Sequence, residues 1–185
     1  MNLIGISGKK LSGKDTVAGM IANYLIPLKT VRIGFADTLK DELCAMLNIT
    51  STYLDEHKDN FRLIMQGYGT DFRRKLTSDD YWILKLEKKI TELPSNIHTV
   101  VIPDVRFLNE AEYIKKLGGK LIRVERGNKD KPWLPIKDSH VSEQELTCFN
   151  YYWDAKIVNN YTLKELQFDV ENIRFLNNRQ HNDNK

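Results

Sequence analysis

Short runs of continuous apolar, β-branched character alternate along the chain with longer stretches whose apolar residues recur every three or four positions. Asn2 to Ser7 reads as a strand, and Lys14 to Ile26 as a helix that begins directly after a glycine-containing loop. "TVRIGF", Thr30 to Phe35, is a second strand. From about Asp37 to Leu93 the pattern is mostly helical, and within "YWILKLEKKI" Trp82, Leu86 and Ile90 share a face at i, i+4 and i+8. His98 to Ile102 and Leu121 to Val124 are further apolar strands. The intervening "NEAEYIKKLGG" predicts a helix, with Asn109 and Glu112 at capping-box spacing and Gly118-Gly119 as its stop. Ala155 to Val158 is a last short strand, followed by a helix from Thr162 with Glu165 completing a second capping box. Strands apolar throughout, separated by helices, predict an α/β domain: a parallel sheet covered on both faces. The polar tail "NNRQHNDNK", 177–185, is expected to fray.

No internal repeat and no Pro- or Gly-rich linker divides the chain, and 185 residues suit one domain with a sizeable core. The formal charge of +3 is small, and Lys and Arg are interleaved with Asp and Glu, so no direct nucleic-acid binding is expected. Cys44 and Cys148 are isolated, which points to idle thiols in a reducing cytosol and to neither zinc nor a disulfide framework. There is no charged-then-apolar leader and no apolar run near the roughly 18 residues that span a membrane. A soluble, cytoplasmic protein is the expectation.

Chemistry enters with "GISGKKLSGKDT", Gly5 to Thr16. It fits the phosphate-binding pattern G-x-x-x-x-G-K-[ST] except at the last position, where Asp15 stands in place of a hydroxyl. Gly8 and Gly13 let backbone N–H groups converge on phosphate oxygens, and the following helix adds its positive dipole end. Lys14 supplies a mobile cation for the β- and γ-phosphates. Asp15 is a hard-oxygen ligand suited to Mg²⁺, directly or through water, and Thr16 is available for a phosphate oxygen or a metal-bound water. An acid favoured by the helix dipole would also account for the charge of Asp15, but not for its place beside a phosphate site.

A second constellation lies in "VVIPDVRFLNEAE". Asp104 directly follows an apolar strand, at the carboxyl edge where doubly wound sheets bind ligands, and such an acid commonly orders magnesium or its waters. Arg106 could hold a second phosphate in bidentate fashion, with Glu110 a turn further on; a loop ion pair among the three is the plainer alternative. In "FRLIMQGYGTDFRRK", Arg62 and Gln66 share a helix face, Gln66 can read a base edge, and Gly69 permits close approach. Thr70, Arg73 and Arg74 lie in the same stretch, and Trp82 is suited either to stacking on a base or to the core.

Taken in order, "SGKDT", "FADTLK", "QGYGTDFRR", "DVRFLNEAEYIKKLGGKLIRV", "DSHVSE" and "IVNNYTLKEL" resemble the landmarks of the deoxynucleoside monophosphate kinases of many tailed bacteriophages. The resemblance runs from the first strand to about Leu166. In that family the loop ends in Lys-Asp-Thr, so Asp15 follows the family. The resemblance implies a P-loop nucleoside monophosphate kinase fold with a five-stranded parallel sheet. It also implies a helical acceptor-binding insertion at about 37–93, a lid at about 123–142, and transfer of the ATP γ-phosphoryl to a dNMP with Mg²⁺. Ser12, Lys14, Asp15 and Thr16 would then lie at the ATP phosphates, with Asp15 and Thr16 toward the metal. Arg62, Gln66, Gly69, Thr70 and Trp82 would surround the acceptor, with Asp104, Arg106 and Glu110 at the edge of the third strand. Leu108 stands where the family often has proline.

On this reading Lys14, Asp15 and Arg106 carry catalysis by positioning and neutralising charge, since the acceptor is already an anion. The charged stretch Arg123 to Ser142 would be the lid, with Arg123, Arg126 or Lys129 as candidates to reach phosphate. His140 reads as a structural histidine. Two alternatives stay open: a kinase for another phosphorylated acceptor, similar to animal-type phosphomevalonate kinase, and a nucleotide-binding module without turnover. Homodimerisation, base preference and the choice between ribose and deoxyribose are left open.

Overall fold

The computed structural model describes residues 1–25, 29–126, 146, 153–160 and 162–180. Its centre is a five-stranded, all-parallel sheet in the order β2-β3-β1-β4-β5, built from β1 (Asn2–Ser7), β2 (Thr30–Arg32), β3 (Thr99–Ile102), β4 (Lys120–Glu125) and β5 (Ala155–Val158). β1 lies in the middle, with Ile4 registered against Val101 on one side and Lys120 on the other.

The continuous apolar strands resolve into two cores because successive side chains point to opposite faces. Ile4, Ile6, Val101, Ile122 and Val124 join Val17 and Ile21 of α1 (Lys14–Tyr24) in one buried cluster. Leu166 and Val170 of the helix Leu163–Glu171 complete it. Leu3, Val100, Ile102 and Leu121 face the other way, against Ala111 and Ile114 of the helix Leu108–Lys116. The same second core takes in Trp82, Leu86 and Ile90 from the helix Tyr81–Thr91.

In chain order the remaining helices are α2 (Phe35–Leu47), α3 (Ser51–Glu56), α4 (Lys58–Gln66) and a π-helical segment, Gly67–Arg74. With α5 (Tyr81–Thr91), these form the expected helical section, although as separate helices. α6 (Leu108–Lys116), α7 (Leu163–Glu171) and α8 (Arg174–Gln180) follow.

Several boundaries differ from the sequence pattern. α1 ends at Tyr24, where Leu25 N–H closes on the Ile21 carbonyl. β2 stops at Arg32, because the N–H groups of Phe35 and Ala36 are captured by the Asp104 carboxylate and start a helix. α6 is capped at Phe107 by Glu110, whose Oε2 accepts from Phe107 N–H at 3.1 Å, and not by an Asn109–Glu112 pair. Its C-terminal stop is as expected, with Gly118 at φ 73°. β4 runs through Glu125, so Arg123 is a strand residue; it is buried and donates to Ser7 Oγ at 3.0 Å. Residues 127–142 of the expected lid, with Lys129 and His140, lie outside the described residues, as do Cys148 and residues 181–185. Residues 177–180 of the expected tail belong instead to a helix, Arg174–Gln180. Among the described residues no helix is long and apolar enough to cross a membrane.

Replacing Leu86, fully buried in α5, by alanine should lower unfolding free energy by about 2–5 kcal/mol in urea titrations. Leu84→Ala, at a position 59% exposed on the same helix, should change it by no more than about 0.5 kcal/mol. Equal losses would show that α5 does not pack through the Trp82–Leu86–Ile90 face.

Candidate active site

Where β1 ends at Ser7, the chain turns through Gly8 to Gly13 and enters α1. Gly8 is required by space: a Cβ would stand 2.4 Å from Ser12 Oγ and 2.7 Å from the Val124 carbonyl. Gly13, at φ 90°, takes a left-handed conformation that a side chain would resist. Ser12 N–H donates to the Lys9 carbonyl at 3.1 Å, drawing the loop onto itself. Ser12 Oγ is buried inside the turn and has no hydrogen-bond partner among the described residues.

Lys14, Asp15 and Thr16, in the first turn of α1, line a cavity of about 530 Å³ together with Gly13. Gly8 and Ser12 sit behind this surface and shape the loop. The Asp15 carboxylate is 62% exposed, bridged by Lys14 Nζ at 3.4 Å and by Arg32 Nη2 at 2.9 Å. Exposed pairs of this kind are weak and exchange readily. Asp15 and Thr16 carry hard-oxygen groups in the first turn after the loop, and two such protein ligands suit a magnesium ion that keeps its waters and shares phosphate oxygens. Among the described residues no cluster of three or more His, Cys, Asp or Glu side chains is arranged to hold a metal ion.

The far wall of the same cavity carries every acceptor-side residue singled out from the sequence. α4 contributes Arg62 and Gln66, one turn apart, and the π-helical segment contributes Gly69 and Thr70. Such wide turns recur at functional sites because they re-aim side chains that an α-helix would rotate away. Gly69 lets α2 approach, since a Cβ would meet Leu39 Cδ1 at 2.4 Å. Its carbonyl accepts from Trp82 Nε1 at 2.8 Å, so the indole is both buried core and cavity wall.

Asp104, Arg106 and Glu110 complete this wall from the carboxyl edge of β3. Asp104 Oδ1 and Oδ2 accept from Phe35 N–H at 2.9 Å and Ala36 N–H at 2.7 Å. Burial pushes its pKa up, against the pull of those two bonds and of Arg106. A Cβ on Gly34 would stand 2.6 Å from Asp104 Oδ1, so glycine is needed for this approach. Glu110 is also buried; desolvation pushes its carboxyl up to about 7, opposed by the Arg106 and Phe107 N–H groups and by Arg74. Its Oε2 accepts from Arg106 N–H at 2.8 Å, which fixes the backbone from which Arg106 reaches the cavity.

Two further cations line the cavity. Arg74, present in "QGYGTDFRR" but not given a site role, is buried with its guanidinium 3.7 Å from the centre of the Phe107 ring. Nη2 donates to Asn109 Oδ1 at 2.9 Å, and Nη1 lies 3.6 Å from Glu110 Oε1. Its four-residue spacing from Thr70 was the available signal. Arg126, one of the three lid candidates to reach phosphate, lines the loop side of the cavity with Nη1 3.3 Å from the Leu11 carbonyl. Lys14, Arg62, Arg74, Arg106 and Arg126 thus surround one cavity, while Asp104 and Glu110 are turned to backbone N–H groups. Such a site suits a ligand carrying several negative charges.

Comparison with known proteins agrees with this geometry. Residues 46–170 match the family described as deoxynucleotide monophosphate kinase. A protein of Acanthamoeba polyphaga mimivirus, named "Putative deoxynucleotide monophosphate kinase", is 35% identical over 206 aligned positions, covering 92% of this chain and 94% of the relative. Among solved structures, a mutant of the Mycobacterium tuberculosis APS kinase CysC superposes with a TM-score of 0.51 at 13% identity. That match covers 93% of this chain and 95% of the other, and at this identity it speaks to the P-loop kinase fold alone. The chain therefore belongs to the deoxynucleotide monophosphate kinase family and has the P-loop kinase fold.

Proposed function

We propose that this protein transfers the γ-phosphoryl group of ATP to the 5′-phosphate of a deoxynucleoside monophosphate, giving a dNDP and ADP in the supply of dNTPs. The observation that carries this reading is the single cavity in which the phosphate loop faces Arg62, Gln66, Thr70 and Arg106. Two polyanions meeting there would have their mutual repulsion screened by cations from both walls.

In the reaction an oxygen of the acceptor phosphate bonds to the γ-phosphorus as the bond to the β–γ bridging oxygen breaks, and ADP departs with that oxygen. The acceptor oxygen is already anionic, so no strong general base is needed. Lys14 and the loop N–H groups hold the β- and γ-phosphates, with the buried Ser12 hydroxyl available to one of their oxygens. Arg62 and Arg106 bring the acceptor phosphate into line. Glu110 acts through the Arg106 backbone and serves as a positioning residue. Asp15 and Thr16 would hold Mg²⁺, which when bound neutralises charge on the β- and γ-phosphates. Gln66 and the Trp82 wall suit a flat base more than an isoprenoid acceptor, which favours the nucleotide over phosphomevalonate.

Coupled ADP release with Mg-ATP should be rapid with at least one of the four common dNMPs and fall by about 10³ in Lys14→Ala. Turnover with phosphomevalonate alone would sink the nucleotide assignment, and ATP binding without any turnover would leave a regulatory module. Arg106→Ala should lose a comparable factor in kcat/KM for the acceptor while ATP affinity, read by equilibrium titration, stays within about threefold. An equal loss of ATP affinity would move Arg106 to the donor side.

The Glu110 carboxyl holds its proton more tightly in the folded protein, at about 7, than at its ordinary 4.5. It therefore favours folding most below about pH 4.5, and that contribution disappears as pH rises through about 7. Relative to Glu110→Gln, wild-type stability in denaturant titrations should decline across this window, by on the order of 3 kcal/mol. A difference independent of pH would mean that Glu110 is ionised throughout.

A further inference from the structure

Asn159 follows β5 directly and plays no part in the site as described so far. Its backbone N–H donates to the Glu125 carbonyl at 2.7 Å, carrying the β4–β5 pairing one residue further, so its side chain starts from a rigid point. The side-chain amide nitrogen donates to the Ser12 carbonyl at 2.9 Å, joining positions 147 residues apart. Only the N–H side of an amide can approach a carbonyl in this way, so the chemistry itself assigns the orientation of the group.

The Ser12–Gly13 peptide is planar and trans, so the Ser12 C=O and the Gly13 N–H point in opposite directions. A carbonyl held toward the end of β5 holds that N–H away from β5, on the side where Gly13 lines the cavity. Gly13 also makes the room: a Cβ on it would stand 2.2 Å from Asn159 Nδ2, quite apart from its φ of 90°. The second glycine of the loop thus answers two demands, one of backbone conformation and one of space for this amide.

We infer that Asn159 is a positioning residue of the donor-phosphate site: its amide holds the Ser12 carbonyl outward and so aims the Gly13 N–H at a phosphate oxygen of the donor nucleotide. The inference rests on the kinase reading for its ligand. The latch is made before any ligand arrives, so the orientation of that donor is set in advance of binding. Without it the peptide is free to rotate its carbonyl oxygen toward the phosphates, replacing an attraction by a repulsion.

The test uses the full chain with Asn159→Ala and the near-isosteric Asn159→Asp, both checked for folding by circular dichroism and thermal midpoint. Alanine should raise KM for ATP by about tenfold, with KM for the acceptor within about twofold of wild type. Aspartate cannot donate to the carbonyl and adds charge beside the loop, so it should raise KM for ATP further than alanine does. Equilibrium titration with a fluorescent ATP analogue and Mg²⁺ should show the same order of affinities without turnover. If Asn159 merely fills space, aspartate will be milder than alanine and the thermal midpoint will fall with both KM values unchanged, which overturns the inference. Absence of wild-type turnover with every acceptor would count against the kinase reading. In that event the analogue titration still decides on Asn159, by a loss of affinity in both variants or by none.

Discussion

The arrangement of this protein depends on one buried carboxylate. Asp104 lies two residues beyond β3 and accepts with both oxygens from the first two N–H groups of α2, joining the parallel sheet to the helical section that forms the far wall of the cavity. The positive end of α2 favours the charge, while removal from water opposes it, and the upward pKa shift shows that desolvation dominates. A buried charge satisfied by two fixed donors specifies a geometry more than it adds stability. Here the geometry specified is the angle at which α2, and with it α4 and the π-helical segment, leaves the sheet.

From that anchor the polar contacts run on through the acceptor wall. Glu110 holds the Arg106 and Phe107 backbone, and Arg74 stacks on Phe107 and donates to Asn109. Asn109 then donates to the Asp79 carbonyl and to Asp80 Oδ1, at the entry to α5. A second group, in which Glu42 accepts from Tyr81 and Arg73 while Arg73 donates to Tyr68, ties α2, the π-helical segment and α5 together behind the cavity. The side chains that would touch an acceptor therefore stand on backbone held at several points, which is what phosphoryl transfer by positioning requires.

The donor side is organised by different means. Its loop is short and held at two backbone groups: Ser12 N–H donates to the Lys9 carbonyl, and the Ser12 carbonyl accepts from the Asn159 side-chain amide. Asp15 stands apart from Asp104 and Glu110 because it is exposed and, among the described residues, paired with Lys14 and Arg32. A carboxylate in that state is easily redirected toward a cation, whereas one bonded to two backbone N–H groups is not.

The phosphate loop was legible in the sequence because its determinants are adjacent: strand, glycines, lysine and helix follow within a few residues, and backbone conformation there is settled locally. The same holds for the Thr162–Glu165 cap and for the parallel sheet, whose apolar strands can be satisfied only between two layers. The residues proposed to meet an acceptor were expected from the resemblance, and they line one cavity. Tertiary structure alone decided where β2 gives way to α2, because the group that captures Phe35 N–H is 69 residues away. It decided that Glu110 caps α6 while Asn109 is drawn off to Arg74 and the Asp79–Asp80 turn, and that Arg74 and Asn159 bear on the site at all. For the Phe35 N–H and for Asn109 the deciding partner lies far along the chain, where spacing cannot reveal it.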